Sequence, residues 1–155
     1  SFSMGNQDIR AYLNGLFFEL NNDSITVVAT DGHRLSIGEI KQNNKLDEKK
    51  TVILPRKAVI ELTKLLNKRP QKIAEIHLSD NYFSLVDSNT KIISRLIDGN
   101  FPNYKQVMPT DFTNTVVINR LDFLSSLQQA SIFVEERTKG VKLVFRDDKL
   151  SIFSH

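Results

Sequence analysis

The sequence predicts an α+β fold in which antiparallel sheets are backed by helices. Three observations lead there. Short runs of β-branched and aromatic residues recur along the chain, bounded by polar turn residues. Two stretches, near 56–68 and 120–130, carry apolar residues at helical rather than alternating spacing. The order strand, helix, strand meander occurs more than once.

Taken along the chain, Ile25-Thr26-Val27-Val28-Ala29 is a run of strand formers, and Leu35-Ser36-Ile37-Gly38-Glu39-Ile40 is a second extended stretch. Thr30-Asp31-Gly32-His33-Arg34 joins them. Asp-Gly between two such runs signals a tight turn, because Gly accepts the positive φ that the turn needs. Thr51-Val52-Ile53-Leu54 is the next strand. Pro55 suits the first turn of a following helix, where its missing N–H costs nothing.

In the helix 56–68, Ala58, Val59, Leu62, Leu65 and Leu66 form one face, which should pack on a sheet. Lys57, Lys64 and Lys68 lie together on another side, with Glu61 among them. Such a stripe is either a solvated surface or a face that meets phosphates without reading bases. His77 alternates with Ile76 and Leu78, which places it on the solvent side of a strand.

Thr115-Val116-Val117-Ile118-Asn119-Arg120 repeats Thr51-Val52-Ile53-Leu54-Pro55-Arg56, 64 residues further on, and predicts a second strand-to-helix junction with Asn119 as N-cap. The helix 120–130 should bury Leu124, Leu127 and Phe123, leaving Asp122, Ser125 and Gln129 outside. The turn Ser79-Asp80-Asn81-Tyr82-Phe83-Ser84-Leu85 matches Arg146-Asp147-Asp148-Lys149-Leu150-Ser151-Ile152, and Leu20-Asn21-Asn22-Asp23-Ser24-Ile25 is a weaker third copy. The first repeat has its meander only, the second is complete, and the third stops after a hairpin.

Composition narrows the function. A chain of 155 residues can bury one good core and is short for two full domains. The formal charge of +3 is too small to mark a nucleic-acid binder, so the distribution of charge has to decide. Cysteine is absent, which excludes disulfides and thiolate metal sites and suits a reducing cytoplasm. No apolar run is long enough to cross a bilayer, and no signal peptide is visible. The ends, Ser1-Phe2-Ser3-Met4 and Ile152-Phe153-Ser154-His155, lead to the expectation of a truncated chain.

Chemistry finds little support. Asp31 and His33, two apart, could form a metal pair or an acid–base pair. Only His77 and His155 remain as further histidines, and no third ligand stands at a recognisable spacing. There is no phosphate-binding Gly loop, nucleophile elbow or His-Glu zinc motif. We expect no catalytic residue, no metal and no cofactor. Asn22-Asp23-Ser24 fits a glycosylation pattern but reads as a turn.

Four linked segments are specific. They are Gln7-Asp8-Ile9-Arg10-Ala11-Tyr12-Leu13-Asn14-Gly15, Ala29-Thr30-Asp31-Gly32-His33-Arg34-Leu35, Ile53-Leu54-Pro55-Arg56-Lys57 and Arg95-Leu96-Ile97-Asp98-Gly99-Asn100-Phe101-Pro102-Asn103-Tyr104. In this order and spacing they closely resemble the bacterial DNA polymerase III beta subunits, the sliding clamps, and the resemblance runs from Ser1 to His155.

The resemblance implies the DNA-clamp (processivity) fold. Residues 1–110 would form most of the middle domain, without its first strand and helix, and 111–155 the first half of the C-terminal domain. It implies a non-catalytic processivity factor of the DNA polymerase III holoenzyme in the cytoplasm. Two full-length subunits would close into a homodimer ring around duplex DNA without reading its sequence. The replicative polymerase and the clamp loader would bind through short peptide motifs, and no membrane is involved. A fragment of this extent is not expected to form the ring alone. On this reading Lys57, Lys64 and Lys68 become candidates to face the DNA.

The family's peptide groove maps onto Leu13, Thr30, Gly32, His33, Arg34, Leu35, Pro102 and Val107. Leu13, Leu35, Pro102 and Val107 would make an apolar pocket for a Leu or Phe anchor. His33, Arg34 and the backbone near Gly32 would hold polar atoms of the peptide. Three positions depart from common family residues: Gln106 replaces an Arg, Ala11 an aromatic residue and Thr138 a Phe. The alternative is a peptide-binding interaction module without a DNA role.

Overall fold

Gly15 allows two strands distant in sequence to run flush. A Cβ there would lie 2.7 Å from Ile53 Cγ2 and from the Leu54 carbonyl, so only hydrogen fits. In the computed structural model β1 (Gly15–Leu20) therefore pairs along its whole length with β4 (Lys50–Pro55). On its other edge β1 pairs with β2 (Ser24–Thr30), which pairs with β3 (Leu35–Lys41). The sheet order is β3-β2-β1-β4, all antiparallel.

The structure describes residues 2–44, 46, 48–68, 73–87, 90–134 and 140–154. Thr138 and His155 lie outside them. The chain divides into two units, Ser1–Met108 and Pro109–His155.

In the first unit, helix α1 (Arg56–Lys68) follows β4. Strands β5 (Glu75–Leu78), β6 (Tyr82–Asp87) and β7 (Thr90–Arg95) then form a second antiparallel sheet, and α2 (Tyr104–Val107) is a single turn. Strand alternation explains the core. Ala29 and Leu54 share a buried cluster with Phe83 and Leu85 of β6 and with Val59 and Leu62 of α1. Leu16 and Phe18 pack against that cluster. Phe18 meets Phe83 ring to ring, with centroids 5.8 Å apart, and so joins the two sheets.

The other face of the first sheet is covered too. Val28 and Ile53 are buried there, and Phe17 stacks on Phe101 and lies beside Tyr104. The segment after β7 thus folds across the sheet, and its path is fixed by the Ile97 N–H donating to the Ile53 carbonyl at 2.9 Å. Two expectations need adjustment here. Pro55 closes β4 opposite Gly15, so the helix begins one residue later, at Arg56. Leu66, expected on the buried face of α1, is 42% exposed, whereas its neighbour Leu65 packs against the core with Val59 and Leu62.

The second unit holds α3 (Arg120–Ser131) and a hairpin of β8 (Val141–Arg146) and β9 (Lys149–Ser154). Asn119 is the N-cap, accepting from the N–H groups of Leu121 and Asp122 at 2.9 and 3.2 Å. Phe123 borders a cleft of about 230 Å³ together with Leu150 and Ile152. The burial expected for Leu124 is not found; it stays 42% exposed, and Phe123 and Leu127 are only half-buried. Two strands are too narrow a surface to cover a full helix face.

The strand expected over 115–118 does not form either. A β-branched run becomes a strand only when a partner supplies a hydrogen-bond ladder and a covered face, and Val117 is 94% exposed. The turns, by contrast, fall at all three matched hairpins: β1–β2, β5–β6 and β8–β9.

Candidate functional site

Asp31 organises the turn between β2 and β3. Its Oδ1 accepts from the N–H groups of His33 at 3.0 Å and Arg34 at 3.1 Å, and Arg34 Nε donates to Oδ2 at 2.9 Å. Thr30 Oγ1 accepts from the Gly32 N–H at 3.1 Å and donates to the Arg34 carbonyl at 2.8 Å. Gly32 sits at φ +90°, a conformation that a side chain would strain. The turn is thus a closed set of hydrogen bonds that holds Thr30, Gly32, Arg34 and Leu35 together, with Thr30 paired to Leu35 across the strands. His33 projects outward and is exposed.

In this arrangement the Asp31 carboxylate serves the turn, not a pairing with the His33 ring. The His33 N–H, followed by the Arg34 N–H and guanidinium, holds the Asp31 carboxylate below the usual range. Its oxygens are occupied in shaping the turn. Among the described residues no group of three or more His, Cys, Asp or Glu could hold a metal ion.

One cation beside the turn was not singled out from sequence. The Arg10 guanidinium is the nearest group to the open side of Gly32, with a nitrogen 3.5 Å from where a Cβ would stand. Arg10 is held in a two-point pair with Asp8, Nε to Oδ1 at 3.0 Å and Nη2 to Oδ2 at 2.9 Å. The side-chain bond from Arg10, aided by its N–H, pulls the Asp8 pKa down to about 2. The Asp8-x-Arg10 spacing was legible, but its approach to residue 32 is a tertiary fact.

The other groove candidates differ in exposure. Leu13 is buried at the end of a 3-10 turn, Ala11–Asn14, and accepts from the Gly5 N–H at 2.8 Å, so it underlies the surface rather than lining it. Pro102 and Val107 are exposed, Val107 at 67% on α2. A cleft of about 440 Å³ in this unit is lined by none of the eight candidates.

The lysines form a line. At about 100° per residue, Lys64 and Lys68 fall within about 20° of Lys57 around α1, whereas the buried Val59 and Leu62 fall about 160° and 140° away. All three are exposed, and Lys64 Nζ is paired with Glu61 Oε1 at 2.9 Å.

Comparison with known proteins settles the family. Residues 1–103 match the central domain of the DNA polymerase III beta subunit. The chain belongs to that family. The beta sliding clamp of Haemophilus influenzae is 39% identical over 97% of this chain, and that of Vibrio cholerae is 32% identical over the same share. The solved DNA polymerase sliding clamp of Pseudomonas aeruginosa superposes with a TM-score of 0.87 at 32% identity, again over 97% of this chain. A DNA polymerase III beta subunit structure from Eubacterium rectale gives 0.85 at 27% identity.

The α+β clamp fold expected from the sequence is therefore the fold observed. The chain spans about 41% of the length of these relatives. Among the described residues no helix of this beta-subunit chain is long and apolar enough to cross a membrane.

Proposed function

We propose that the complete protein is a DNA polymerase processivity factor, a clamp that encircles duplex DNA and performs no reaction itself. The observation that carries this reading is the line of Lys57, Lys64 and Lys68 directly opposite the buried Val59 and Leu62. A helix so divided presents a cationic ridge to a polyanion without any group aimed at base edges. Encirclement then supplies retention, and weak phosphate contacts leave sliding fast.

In this reading residues 1–110 make most of the middle domain and 111–155 the first half of the C-terminal domain. The complete subunit pairs with a second copy to close the ring. The exposed neighbours Ile132 and Phe133 offer apolar surface of the kind that a protein contact buries. The polymerase and the clamp loader bind through short peptides at Leu13, Thr30, Gly32, His33, Arg34, Leu35, Pro102 and Val107, in the cytoplasm.

The locked turn favours a second reading, a peptide-binding module with no DNA role. Neutralising the three lysines in the complete protein separates the two. Faster loss from circular DNA with unchanged peptide affinity supports the clamp. Unchanged retention would leave only the peptide module.

A further inference from the structure

Glu19 is a buried carboxylate that neither the lysine ridge nor the candidate groove uses. Its side chain is only 10% exposed, and Lys49 Nζ meets its Oε2 at 2.7 Å. The bond from Lys49 outweighs desolvation and holds the Glu19 carboxyl below its ordinary range, with smaller help from Asn21 and from the Lys105 charge. Glu19 is therefore ionised at neutral pH.

Strand alternation puts Glu19 on the same face of β1 as Phe17. Across the sheet it pairs with Thr26 of β2 and Thr51 of β4, and Thr26 pairs in turn with Glu39 of β3. The α2 turn lies over this face. Tyr104 is 6% exposed, its ring centroid is 6.2 Å from that of Phe17, and Lys105 Nζ stands 5.8 Å from the Tyr104 ring. Burial, then the Glu19 charge, pushes the Tyr104 hydroxyl up; Lys49 opposes this and Glu39 adds to it. Tyr104 and Lys105 of α2 thus both sense the carboxylate on β1.

A helix of one turn does not hold itself in place, and Asn103 gives α2 no side-chain cap. Its position is set by what its residues rest on. Two of the groove candidates bracket it: Pro102 precedes Asn103, and Val107 is its last residue.

We propose that Glu19 is a positioning residue for the peptide groove. Paired with Lys49, it forms a buried anionic seat for Tyr104 and Lys105, and through them it sets the place of Pro102 and Val107. This inference rests on the groove assignment made under the proposed function. Glu19 touches no peptide itself. The seat is present while the carboxylate is charged and is lost as pH falls through its lowered pKa.

The test uses the valine-methyl-labelled 155-residue chain and the peptide acetyl-Gly-Leu-Phe-amide, which carries no titrating group. The Val107 methyl signals should move in one step with a midpoint below 4.5, the ordinary Glu19 value, and Glu19→Gln should abolish that step. At neutral pH Glu19→Gln should displace the Val107 signals and weaken the peptide about fivefold, the lower end of ordinary coupling between two sites. Lys105→Gln, an exposed change that leaves the sheet intact, should shift Val107 less and in the same direction. The double variant should add nothing to Glu19→Gln. Val107 signals that ignore Glu19→Gln, an acid step that survives it, or fully additive variants would each overturn the proposal. A parent chain that fails to bind the peptide would instead count against the groove, while the Val107 signals still decide the seat.

Discussion

Phe17 and Phe101 lie nearly parallel, 13° apart, with ring centroids 4.8 Å from each other. One belongs to the first strand and the other to the segment that follows the last strand of the same unit. The stack therefore closes the unit over the face of the sheet that α1 does not cover.

Phe101→Ala should lower the stability of the first unit by about 2 kcal/mol, less than a fully buried Phe because Phe101 keeps some exposure. Phe101→Leu should recover about half of that. Urea unfolding followed by circular dichroism measures both, and a change near zero would mean that the segment is only loosely laid on the sheet.

The three lysines should not contribute equally. Lys64 is already paired with Glu61, so Lys64→Ala should reduce DNA affinity of the complete protein less than Lys57→Ala. Removing one lysine–phosphate interaction should lower the slope of log affinity against log salt by about 1. Fluorescence anisotropy across a salt series reads this slope, and equal slopes for all variants would argue against phosphate binding by these side chains.

Asp8 provides a pH signature. Its pKa is depressed from 3.8 to about 2 by Arg10, so its stabilising contribution is present above about pH 4 and is lost as pH falls through about 2. Arg10→Ala should return the Asp8 titration toward 3.8 and release the cover of Gly32. Carbon-detected NMR titration of the Asp8 carboxyl follows it directly. An unshifted Asp8 in the parent chain would remove the pair from the account.

Asn119→Ala should destabilise the second unit by about 1 kcal/mol, because two helix N–H groups lose their acceptor. Asn119→Asp should be tolerated, since a carboxylate accepts the same bonds and suits the helix N-terminus. Hydrogen exchange at Leu121 and Asp122 distinguishes a missing cap from a general loss of structure.

Local signals carried the elements far. The Asp-Gly turn, the face of α1 around Val59 and Leu62, the Asn119 cap and the three matched hairpins were all legible, because each depends on residues within a turn or two of one another. The candidate groove was legible only as a set of positions matched to a family. That Leu13 is buried while Val107 is exposed depends on what else packs there.

Sequence alone thus determined the fold class, the matched hairpin turns and the line of lysines, since periodicity and turn chemistry are local properties of the chain. Tertiary structure decided the rest. Residues 115–118 have the composition of a strand yet form none, for a strand needs a ladder partner that composition cannot supply. Phe101 reaches Phe17, and Arg10 reaches Gly32, only because the folded sheets bring distant segments within a side chain's length.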